Sequence, residues 1–568
     1  MANNDKAVEI SEKDFEKTIN SKDKQAVVVD FYAEWCLDPE TELVFNPCIR
    51  EIKKAGIGSK ILSFDENFNE SFVNVASSHK IISNKRVIIS TERGREVIST
   101  PEHLLLTRDG FLSSDKLSQG DFVATYLFSD CPKIKENNQI FLTGKKVLGT
   151  AKELNLNKEK YISELKNRDL LEIRYDDEKA HILASLLGLL LSDGSLSMQK
   201  NNLRSTEFFV NEKDVEEVIK DLKFIGYDGA VRSQEIEGLI NKRKFMQKIS
   251  RVRVSKTSLF ILFASLGGIV GRKFINGLKI PEWILEGPKE LQKSFLQGFF
   301  GGDGPKIEIR AIESNKRKFY NKTCINPIEF HFYSKSKNSP KKFSEDLSIM
   351  LKNLGTKTRN IKIEKEKRYK RRDEKESLLL KIYLNTDLKS AYNYSSIGFK
   401  YAYTKKLVSA LAREYLRERI NLWKEAKKSK DPNKIRNVIR YQDWVKKYVK
   451  DKIVYDKINK IKAEEGGQFP FISISLDNKT KMFVANDIIH HNCMPCLMIA
   501  PVIEELASKI KAIKFARINV DENKALSSKF NITSIPCLIV FKDGKEVERI
   551  TGALPEEVLE EKLKKHLK

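Results

Sequence analysis

The sequence predicts a multidomain protein in which one α/β domain is divided between the two ends of the chain by a long insert. The lead-in to a redox motif at residues 31–36 has no second cysteine behind it, whereas a complete C-x-x-C stands at residues 493–496. The formal charge is +25, with −3 on residues 1–35 and +2 on residues 493–568, so the insert carries +26. We therefore expect a multidomain chain in which a split α/β domain surrounds a strongly basic insert.

The first end of the chain has the features of a buried strand that follows a helix. A polar helical stretch near Ser11–Ile19 precedes Ala26–Tyr32, whose consecutive valines are typical of a buried strand. Asp30 interrupts this strand. A buried carboxylate has a raised pKa and can accept a proton, whereas an aspartate at a strand end simply faces water. The C-x-x-C downstream favours the first interpretation.

Residues 493–568 continue the same domain and complete a β-α-β-α-β-β-α order. The predicted elements are a helix at Leu497–Ile510, strands at Ile513–Val520 and Cys537–Phe541, and an amphipathic helix at Pro555–His566. A lone C-x-x-C beside such a pattern indicates redox chemistry, and no second C-x-x-C or pair of histidines completes a zinc site.

The joined ends resemble the thioredoxin family in Trp35-Cys493-Met494-Pro495-Cys496 and in Ser534-Ile535-Pro536. The resemblance implies that Cys493 is the nucleophilic thiol, Cys496 the resolving thiol, Asp30 the buried carboxylate and Pro536 the cis-proline facing the disulfide. It also implies a redox-active Cys493–Cys496 disulfide, protein disulfide substrates and a thioredoxin reductase as partner. Met494-Pro495 departs from the commoner Gly-Pro and leaves the reduction potential open.

Short β-like segments with turn signals at both ends of the insert predict a compact all-β unit. The insert begins at Cys36, contains Thr100-Pro101-Glu102-His103, ends in His491-Asn492 and is followed by Cys493. Taken alone, Thr100 and His103 could form an ordinary turn. Together these four pieces resemble an intein splicing domain of the Hint fold, which implies that the insert cuts itself out.

The implied chemistry needs no cofactor. The thiol of Cys36 attacks the carbonyl of Trp35 to form a thioester, while His103 protonates the departing nitrogen and Thr100 helps to hold the carbonyl. Cys493 then takes over the acyl group. Asn492 cyclises with help from His491, and an S-to-N shift completes the new peptide bond.

Two positions depart from the splicing pattern. An aspartate early in the C-terminal piece and a histidine about eleven residues before the final asparagine are usual, and here Ser473 and Lys481 stand there. The assistance to transfer and cyclisation is therefore open, and His490 could compensate.

Inside the insert an apolar helix at His181–Leu191 is followed by Asp193-Gly194, and a second copy ends at Asp303-Gly304. Glycines at 188 and 298 would allow the two helices to pack closely. The pair resembles the two motifs of a LAGLIDADG homing endonuclease over about residues 178–405, which implies an α+β unit with a pseudo-twofold αββαββ repeat. That resemblance implies Mg²⁺ between Asp193 and Asp303, a catalytic Lys279 with Lys400 as a weaker second candidate, and double-stranded DNA at the insertion site as substrate.

The basic charge fits a polyanionic partner, although a solvated lysine-rich surface is the alternative. Basic helices expected at Leu407–Lys428 and Asn433–Lys460 could contact DNA or serve as a scaffold. Neither a signal peptide nor a membrane span is expected, so a cytoplasmic monomer is predicted. The expected segments are 1–35, 36–145, 146–462, 463–492 and 493–568. Two alternatives stay open: a splicing insert with an inactive endonuclease, and a permanent fusion with a DNA-binding insert.

Overall fold

A computed structural model describes most of the chain. The described residues are 7–20, 25–32, 36–45, 48–128, 132–134, 136–156, 159–198, 204–240, 243–314, 317–336, 339–365, 377–430, 439–450, 453–491, 495–519, 523–532, 536–551 and 554–566. The chain divides into two compact units, one of residues 1–46, 50–126 and 455–568 and one of residues 47–49 and 127–454. Within the described residues, no helix combines the length and apolar composition needed to cross a bilayer.

The first part of the chain is mainly β. Its elements are β1 (Val8–Glu9), α1 (Glu12–Ile19), β2 (Ala26–Tyr32), β3 (Glu42–Val44), β4 (Ile49–Glu51), β5 (Lys60–Phe64), β6 (Glu70–Thr91), β7 (Glu96–Ser99), β8 (Leu104–Thr107), β9 (Gly110–Ser113) and β10 (Phe122–Tyr126).

The middle part mixes helices and hairpins. Its elements are β11 (Ile140–Leu142), α2 (Gly144–Glu153), α3 (Glu159–Lys166), β12 (Ile173–Arg174), α4 (Glu178–Asp193), β13 (Gly194–Met198), β14 (Arg204–Asn211), α5 (Val215–Phe224), β15 (Ala230–Ile240), β16 (Arg243–Val254), α6 (Thr257–Ser265), α7 (Lys273–Asn276), α8 (Glu282–Leu285), α9 (Lys289–Asp303), β17 (Ile307–Ser314), β18 (Arg317–Ile325), β19 (Ile328–Tyr333), α10 (Pro340–Asn353), β20 (Thr358–Lys365), β21 (Ser377–Leu384), α11 (Leu388–Ile397), α12 (Tyr403–Ser429), α13 (Tyr441–Tyr448) and β22 (Val449–Lys450).

The last part returns to strands and then adds helices. Its elements are β23 (Ile453–Leu476), β24 (Met482–Ala485), β25 (Ile488–His491), α14 (Pro495–Lys509), β26 (Ile513–Asn519), α15 (Lys524–Lys529), β27 (Cys537–Lys542), β28 (Lys545–Thr551) and α16 (Glu556–Lys564). The short helix α15 is absent from the sequence prediction.

One five-stranded sheet joins the two ends of the chain in the order β1-β26-β2-β27-β28. Strand β2 is central: Val27 pairs with Lys514 in parallel β26, and Val28 pairs with Val540 in antiparallel β27. Apolar side chains from both ends share its cores, which explains why all seven residues of β2 are buried. The split α/β domain is thus assembled from segments on either side of the insert.

The second sheet of this unit follows the order β4-β3-β24-β5-β6-β23-β10-β25-β8-β9, with β7 paired to β6. Its longest ladder runs antiparallel between β6 and β23, from Ile458 opposite Thr91 to Leu476 opposite Val75. This ladder brings the start and the end of the insert into one sheet.

In the middle unit, α4 and α9 pack through their glycines. A Cβ at Gly188 would overlap the main chain of Phe295 and Phe299, and a Cβ at Gly298 would overlap the main chain of Ser185. No larger residue fits at either point without a shift of the main chain. The close approach that the two glycines predicted is therefore present.

Each of these helices is followed by antiparallel strands. After α4 comes a four-stranded sheet in the order β13-β14-β16-β15, which gives the predicted α-β-β-α-β-β order with α5. After α9 the strands form a β17-β18 hairpin and a separate β19-β21-β20 sheet, so this repeat has one strand more than predicted.

One expectation about the middle segment needs correction. The helix expected at Asn433–Lys460 is wrong beyond residue 448, because the chain turns through β22 and enters β23. The β-branched Ile453 and Val454 pair with β22 there, and their strand continues into the ladder with β6. The two compact units divide at 126/127 and 454/455, and the expected segment limits at 145/146 and 462/463 stay predictions.

Candidate functional site

Cys36 begins a short extended segment that lies between β7 and β23 of the second sheet. Its neighbour Leu37 exchanges main-chain hydrogen bonds with Ile472 at 3.1 and 2.8 Å, and the Asp38 N–H donates to Ile98 at 3.0 Å. Cys36 itself is buried. The main chain on the insert side of the first junction is therefore fixed by strands from both ends of the insert.

Thr100 contacts the nitrogen of this junction. The Cys36 N–H donates to the Thr100 hydroxyl at 3.1 Å, and the Thr100 N–H donates to the Cys36 carbonyl at 3.1 Å. The hydroxyl was expected at the carbonyl of Trp35, which lies outside the described residues. The described contact joins Thr100 to the nitrogen that would leave, because the β7 end runs antiparallel to residues 36–38, and the contact with the carbonyl stays a prediction.

His103 follows Thr100 in a turn that Ser114 stabilises. The Ser114 N–H and hydroxyl donate to the His103 carbonyl at 2.8 and 3.0 Å. Burial, followed by the nearby His490 and His491, lowers the pKa of His103 well below its usual value. Its Nδ1 is buried and has no hydrogen-bond partner among the described residues. Burial therefore favours the neutral imidazole of His103, and one of its ring nitrogens is unpaired within the described ranges.

His490 is the partner of His103 that motif analysis left without a firm role. His103 Nε2 lies 2.8 Å from His490 Nδ1, and His490 Nε2 lies 3.1 Å from the Ala485 carbonyl oxygen. Burial lowers the pKa of His490 to about 4. The only sequence signal for this pair was a second histidine beside His491.

His491 ends β25 and is half-buried against the Phe111 ring, with centroids 4.9 Å apart. Burial, and then the charge of Lys481, lowers its pKa. Its buried Nδ1 has no hydrogen-bond partner within the described ranges. Asn492 and Cys493 lie outside the described residues, so their predicted roles stay predictions.

The two positions that depart from the splicing pattern have different surroundings. Ser473 is buried on β23, and the Leu37–Ile472 pairing places it across from Cys36. Its hydroxyl has no partner in the part of the chain that the structure describes. Lys481 has a positive φ of 54° and donates its Nζ to the Leu476 carbonyl at 2.5 Å. Ser473 is thus placed at the junction, and Lys481 stabilises the turn before β24.

Asp30 in the split α/β domain is fully buried on β2. Arg517 on β26 donates its Nε to Asp30 Oδ2 at 3.1 Å, and its guanidinium lies 4.1 Å from the centre of the Tyr32 ring. Burial raises the pKa of Asp30 to about 6 even though Arg517 opposes this shift. Arg517 was not identified in the sequence, because only the fold brings it beside Asp30.

Pro536 is buried immediately before β27, where Cys537 pairs with Phe31 of β2. Cys496 lies in the first turn of α14, and its side chain is outside the described set. The geometry of the Cys493–Cys496 pair therefore stays a prediction.

Asp193 and Asp303 are the last residues of α4 and α9 in the middle unit. Both side chains keep contact with solvent, but the surrounding protein partly desolvates them and raises both pKa values. The pKa of Asp303 rises to about 6 because Asp193 adds a like charge to this desolvation. No cluster of three or more acidic, histidine or cysteine side chains suited to a metal is found among the described residues.

The lysines beside this acidic pair are Lys273 and Lys405. Lys273 Nζ donates to the carbonyls of Leu190 (3.3 Å), Leu191 (3.2 Å) and Ser192. Burial lowers the pKa of Lys273, although the charges of Asp303 and Asp193 oppose this shift. Lys405 Nζ donates in the same way to the carbonyls of Phe300 (3.2 Å), Gly301 (2.9 Å) and Gly302 (2.5 Å). Each lysine therefore stabilises the negative end of one helix.

The lysines chosen from the sequence lie elsewhere. The Lys279 side chain is 60% exposed and pairs with Glu282 at 3.7 Å, because Gly277 (φ 75°) turns the chain between it and Lys273. Lys400 Nζ lies 2.5 Å from Asp221 Oδ2 on α5. Lys273 and Lys405 are thus the lysines beside the acidic pair, and the catalytic roles implied for Lys279 and Lys400 stay predictions.

Comparisons with known proteins give two kinds of match. A family profile described as Thioredoxin matches residues 474–565. Thioredoxin 1 of Nostoc sp. is 43% identical over 76 residues, which are 13% of this chain and 71% of that protein.

The other matches cover most of the chain. The RNA polymerase subunit Rpo1N of Methanocaldococcus jannaschii is 29% identical over 477 residues, 81% of this chain and 34% of that protein. The tRNA-splicing ligase RtcB of Pyrococcus furiosus is 25% identical over 509 residues, 80% of this chain and 49% of that protein. The chain thus spans a third to a half of these relatives. The solved gp41-1 intein is 25% identical over 17% of this chain and 71% of its own, with a TM-score of 0.15.

Proposed function

The chain belongs to the thioredoxin family, and from this premise we propose that it is a precursor whose insert, residues 36–492, excises itself and joins Trp35 to Cys493. One observation carries the proposal. The Thr100 hydroxyl accepts a hydrogen bond from the junction nitrogen of Cys36, while His103 and His491 lie on neighbouring segments of the same sheet. Segments from the start and the end of the insert thereby meet beside Cys36, where the main chains of Leu37 and Ile472 exchange hydrogen bonds.

The pattern of relatives supports an insert of independent origin. A polymerase subunit and a tRNA ligase match about 80% of this chain but no more than half of themselves. Neither the polymerase function nor the ligase function in these names accounts for a segment that both proteins share with this chain. An insert that leaves its host by splicing accounts for this pattern.

The first step follows from the contacts of Cys36. Its thiol attacks the Trp35 carbonyl, so that a C–S bond forms and the C–N bond breaks. The proton leaves sulfur and reaches the Cys36 nitrogen by way of neutral His103, whose Nδ1 is available to accept it. Thr100 holds that nitrogen through its hydroxyl.

The later steps involve the end of β25. Cys493 takes the acyl group from Cys36, the side-chain amide of Asn492 attacks its own carbonyl, and His491 supplies the proton to the departing nitrogen. The final S-to-N shift gives a normal peptide bond. Because all reactants belong to one chain, no cofactor is needed.

The spliced product is a thioredoxin of 111 residues, a cytoplasmic monomer that exchanges disulfides through Cys493 and Cys496. Protein disulfides and a thioredoxin reductase are its partners. Asp30, with a pKa of about 6, serves as a proton acceptor near neutral pH. A low-pKa thiol at the start of α14 would attack the substrate disulfide.

Mass spectrometry of the expressed chain tests splicing. Products of 457 and 111 residues are expected, and both should vanish in the double variant Cys36→Ala, Asn492→Ala. Cys324→Ala removes a thiol of the middle unit that has no part in the proposed steps, and should splice normally. A stable full-length chain without substitutions would contradict the proposal in favour of a permanent fusion.

A second candidate function is site-specific cleavage of double-stranded DNA by the middle unit. Asp193 and Asp303 favour it, because two solvent-accessible carboxylates end paired helices and each helix end is neutralised by a lysine. The arrangement supports a LAGLIDADG endonuclease. The excess of basic residues in the insert favours binding to a polyanion.

The acidic pair fits part of a Mg²⁺ site. Mg²⁺ is typically held by one or two carboxylates, with water and substrate phosphate completing its coordination, and a cation would relieve the repulsion that raises the pKa of Asp303. Asp193 and Asp303 would hold it. When bound, it would lower the pKa of a water and neutralise charge on the phosphate. Lys273 and Lys405 hold the two helix ends, and thus both carboxylates, in position.

Incubation of the insert with Mg²⁺ and DNA that encodes the uninterrupted Trp35–Cys493 junction tests this function. Cleavage within that junction is expected, and Asp193→Asn should abolish it. Asp169→Asn changes an aspartate whose side chain is 90% exposed, and should leave cleavage unchanged. No cleavage at any salt concentration would indicate a splicing insert with an inactive endonuclease.

A further inference from the structure

Two buried histidines form a chain of hydrogen bonds that begins at a main-chain carbonyl. His490 is completely buried and His103 almost so. The chain runs from the Ala485 oxygen to His490 Nε2 at 3.1 Å, and from His490 Nδ1 to His103 Nε2 at 2.8 Å. The Phe483 ring stacks on His490 at 5.4 Å and restricts its rotation.

The Ala485 carbonyl determines which ring nitrogens carry a hydrogen along this series of hydrogen bonds. A carbonyl oxygen can only accept, so His490 Nε2 carries the hydrogen. Both rings are neutral, so His490 Nδ1 is bare and accepts from His103 Nε2. His103 Nδ1 is then bare as well. It is also the ring nitrogen with no partner among the described residues.

The reverse arrangement is disfavoured. If His490 carried its hydrogen on Nδ1, its bare Nε2 would face the Ala485 oxygen, and two lone pairs would oppose each other in a buried site. An unmade buried hydrogen bond costs about 1–3 kcal/mol. The hydrogen bond to His490 therefore selects one tautomer of His103 over the other.

We propose that His490 is a positioning residue for the first splicing step. It holds His103 in the tautomer whose Nδ1 is unprotonated. The inference rests on the proposed splicing function and assigns a role to a residue outside the motif. Only that tautomer can take the thiol proton on Nδ1 and then release it to the Cys36 nitrogen. His490 acts through His103, to which its Nδ1 is hydrogen-bonded.

The test uses the full chain with Cys493→Ala and Asn492→Ala, which stop the reaction at the thioester. Thioester formation is measured as release of residues 1–35 by hydroxylamine. His490→Gln keeps an acceptor and a donor in one side chain, and should react within about threefold of the parent. His490→Leu and His490→Met keep the apolar volume without the acceptor, and should react at least tenfold more slowly. Thermal melting verifies that each variant is folded.

A spectroscopic readout separates positioning from folding. Solid-state NMR of the chain labelled with ¹⁵N at histidine should show a bare Nδ1 for His103, assigned by its loss in His103→Ala, and a mixture of tautomers in His490→Leu. A protonated His103 Nδ1 in the parent, or parent-like rates in the folded apolar variants, would overturn the role of His490. A parent that forms no thioester would instead overturn the proposed splicing.

Discussion

Lys273 and Lys279 are six positions apart in the sequence but lie in different surroundings. Lys273 donates to the last carbonyls of α4 and faces both aspartates, whereas Lys279 is mostly exposed and pairs with Glu282. A lysine held beside a carboxylate pair is preorganised to neutralise charge that develops on a phosphate, whereas Lys279 is held by Glu282.

We expect Lys273→Met to slow DNA cleavage by the insert about 100-fold, because a preorganised positive charge is lost at the acidic pair. Lys279→Met should cleave within about twofold of the parent. Single-turnover cleavage with saturating protein measures the chemical step apart from binding. If only Lys279→Met were slow, the sequence-based assignment would be right after all.

Asp30 makes the stability of the split α/β domain depend on pH. Its pKa is near 3.8 when unfolded and about 6 when folded, so the folded state binds more protons between these values. Stability therefore falls as pH rises from about 4 to 6, and the loss remains above pH 6.

Asp30→Asn should raise the free energy of unfolding above pH 6 by about 1–3 kcal/mol, with no gain below pH 4. The measurement is urea denaturation of the 111-residue chain with Trp35 joined to Cys493. Glu561→Gln is the control, since that side chain is 78% exposed. An equal gain at pH 3 and pH 7 would show that ionisation of Asp30 is not the cause.

At this scale the motifs identified residues but not their contacts. Cys36, Thr100 and His103 could be found because the splicing pattern fixes their spacing. Arg517 and Lys405 could not, since their partners Asp30 and the end of α9 are distant in sequence and only the fold unites them. The contact of Thr100 with the Cys36 nitrogen also depends on strand register, which no motif encodes.

At the scale of elements, the helix pair α4–α9 tolerates no side chain at its closest point. Any Cβ at Gly298 would overlap the carbonyl of Ser185. Gly149 on the exposed side of α2 has open space around its Cβ position. These two helical glycines form a matched pair, one required by packing and one not.

Gly298→Ala should destabilise the middle unit by about 1–3 kcal/mol, because the helices must move apart. Gly149→Ala should instead stabilise its helix by about 0.5–1 kcal/mol. Hydrogen exchange of peptides from α4 and α9 reports the first effect locally. Equal protection of α4 in the parent and Gly298→Ala would mean that the two helices are not tightly packed.

Strand β2 was predicted with its observed bounds, because three consecutive valines favour a buried strand. The segment 453–460 was predicted as helix because lysines recur along it, yet it is a strand. Its partner β6 lies more than 350 residues earlier, and pairing over such a distance overrides local preference.

At the scale of the whole molecule, both halves of the host domain are already assembled around the insert. Val29 of β2 is fully buried among side chains from the far end of the chain, and it pairs with Ala516 and Ile539. Along the sequence, only residues 33–35 and 492–494 lie between this domain and the segments that include the second sheet. Assembly of the host should therefore keep the reacting groups together.

Val29→Asp places a charge in that core, and should lower the splicing rate about tenfold while residues 36–491 stay unaltered. Val547→Asp is the control, since Val547 on β28 is 45% exposed. Purified precursor folded at low temperature and then warmed gives the rates by gel densitometry. Equal rates for Val29→Asp and the parent would show that splicing needs no help from the host fold.

The contact between α4 and α9 is isologous. Gly188 meets residue 295, three before Gly298, and Gly298 meets residue 185, three before Gly188. Each helix thus offers its partner the same patch, as identical subunits do about a twofold axis. The middle unit contains within one chain the interface of a symmetric dimer, so its ancestor could have been a protein of half this size that paired with a second copy of itself.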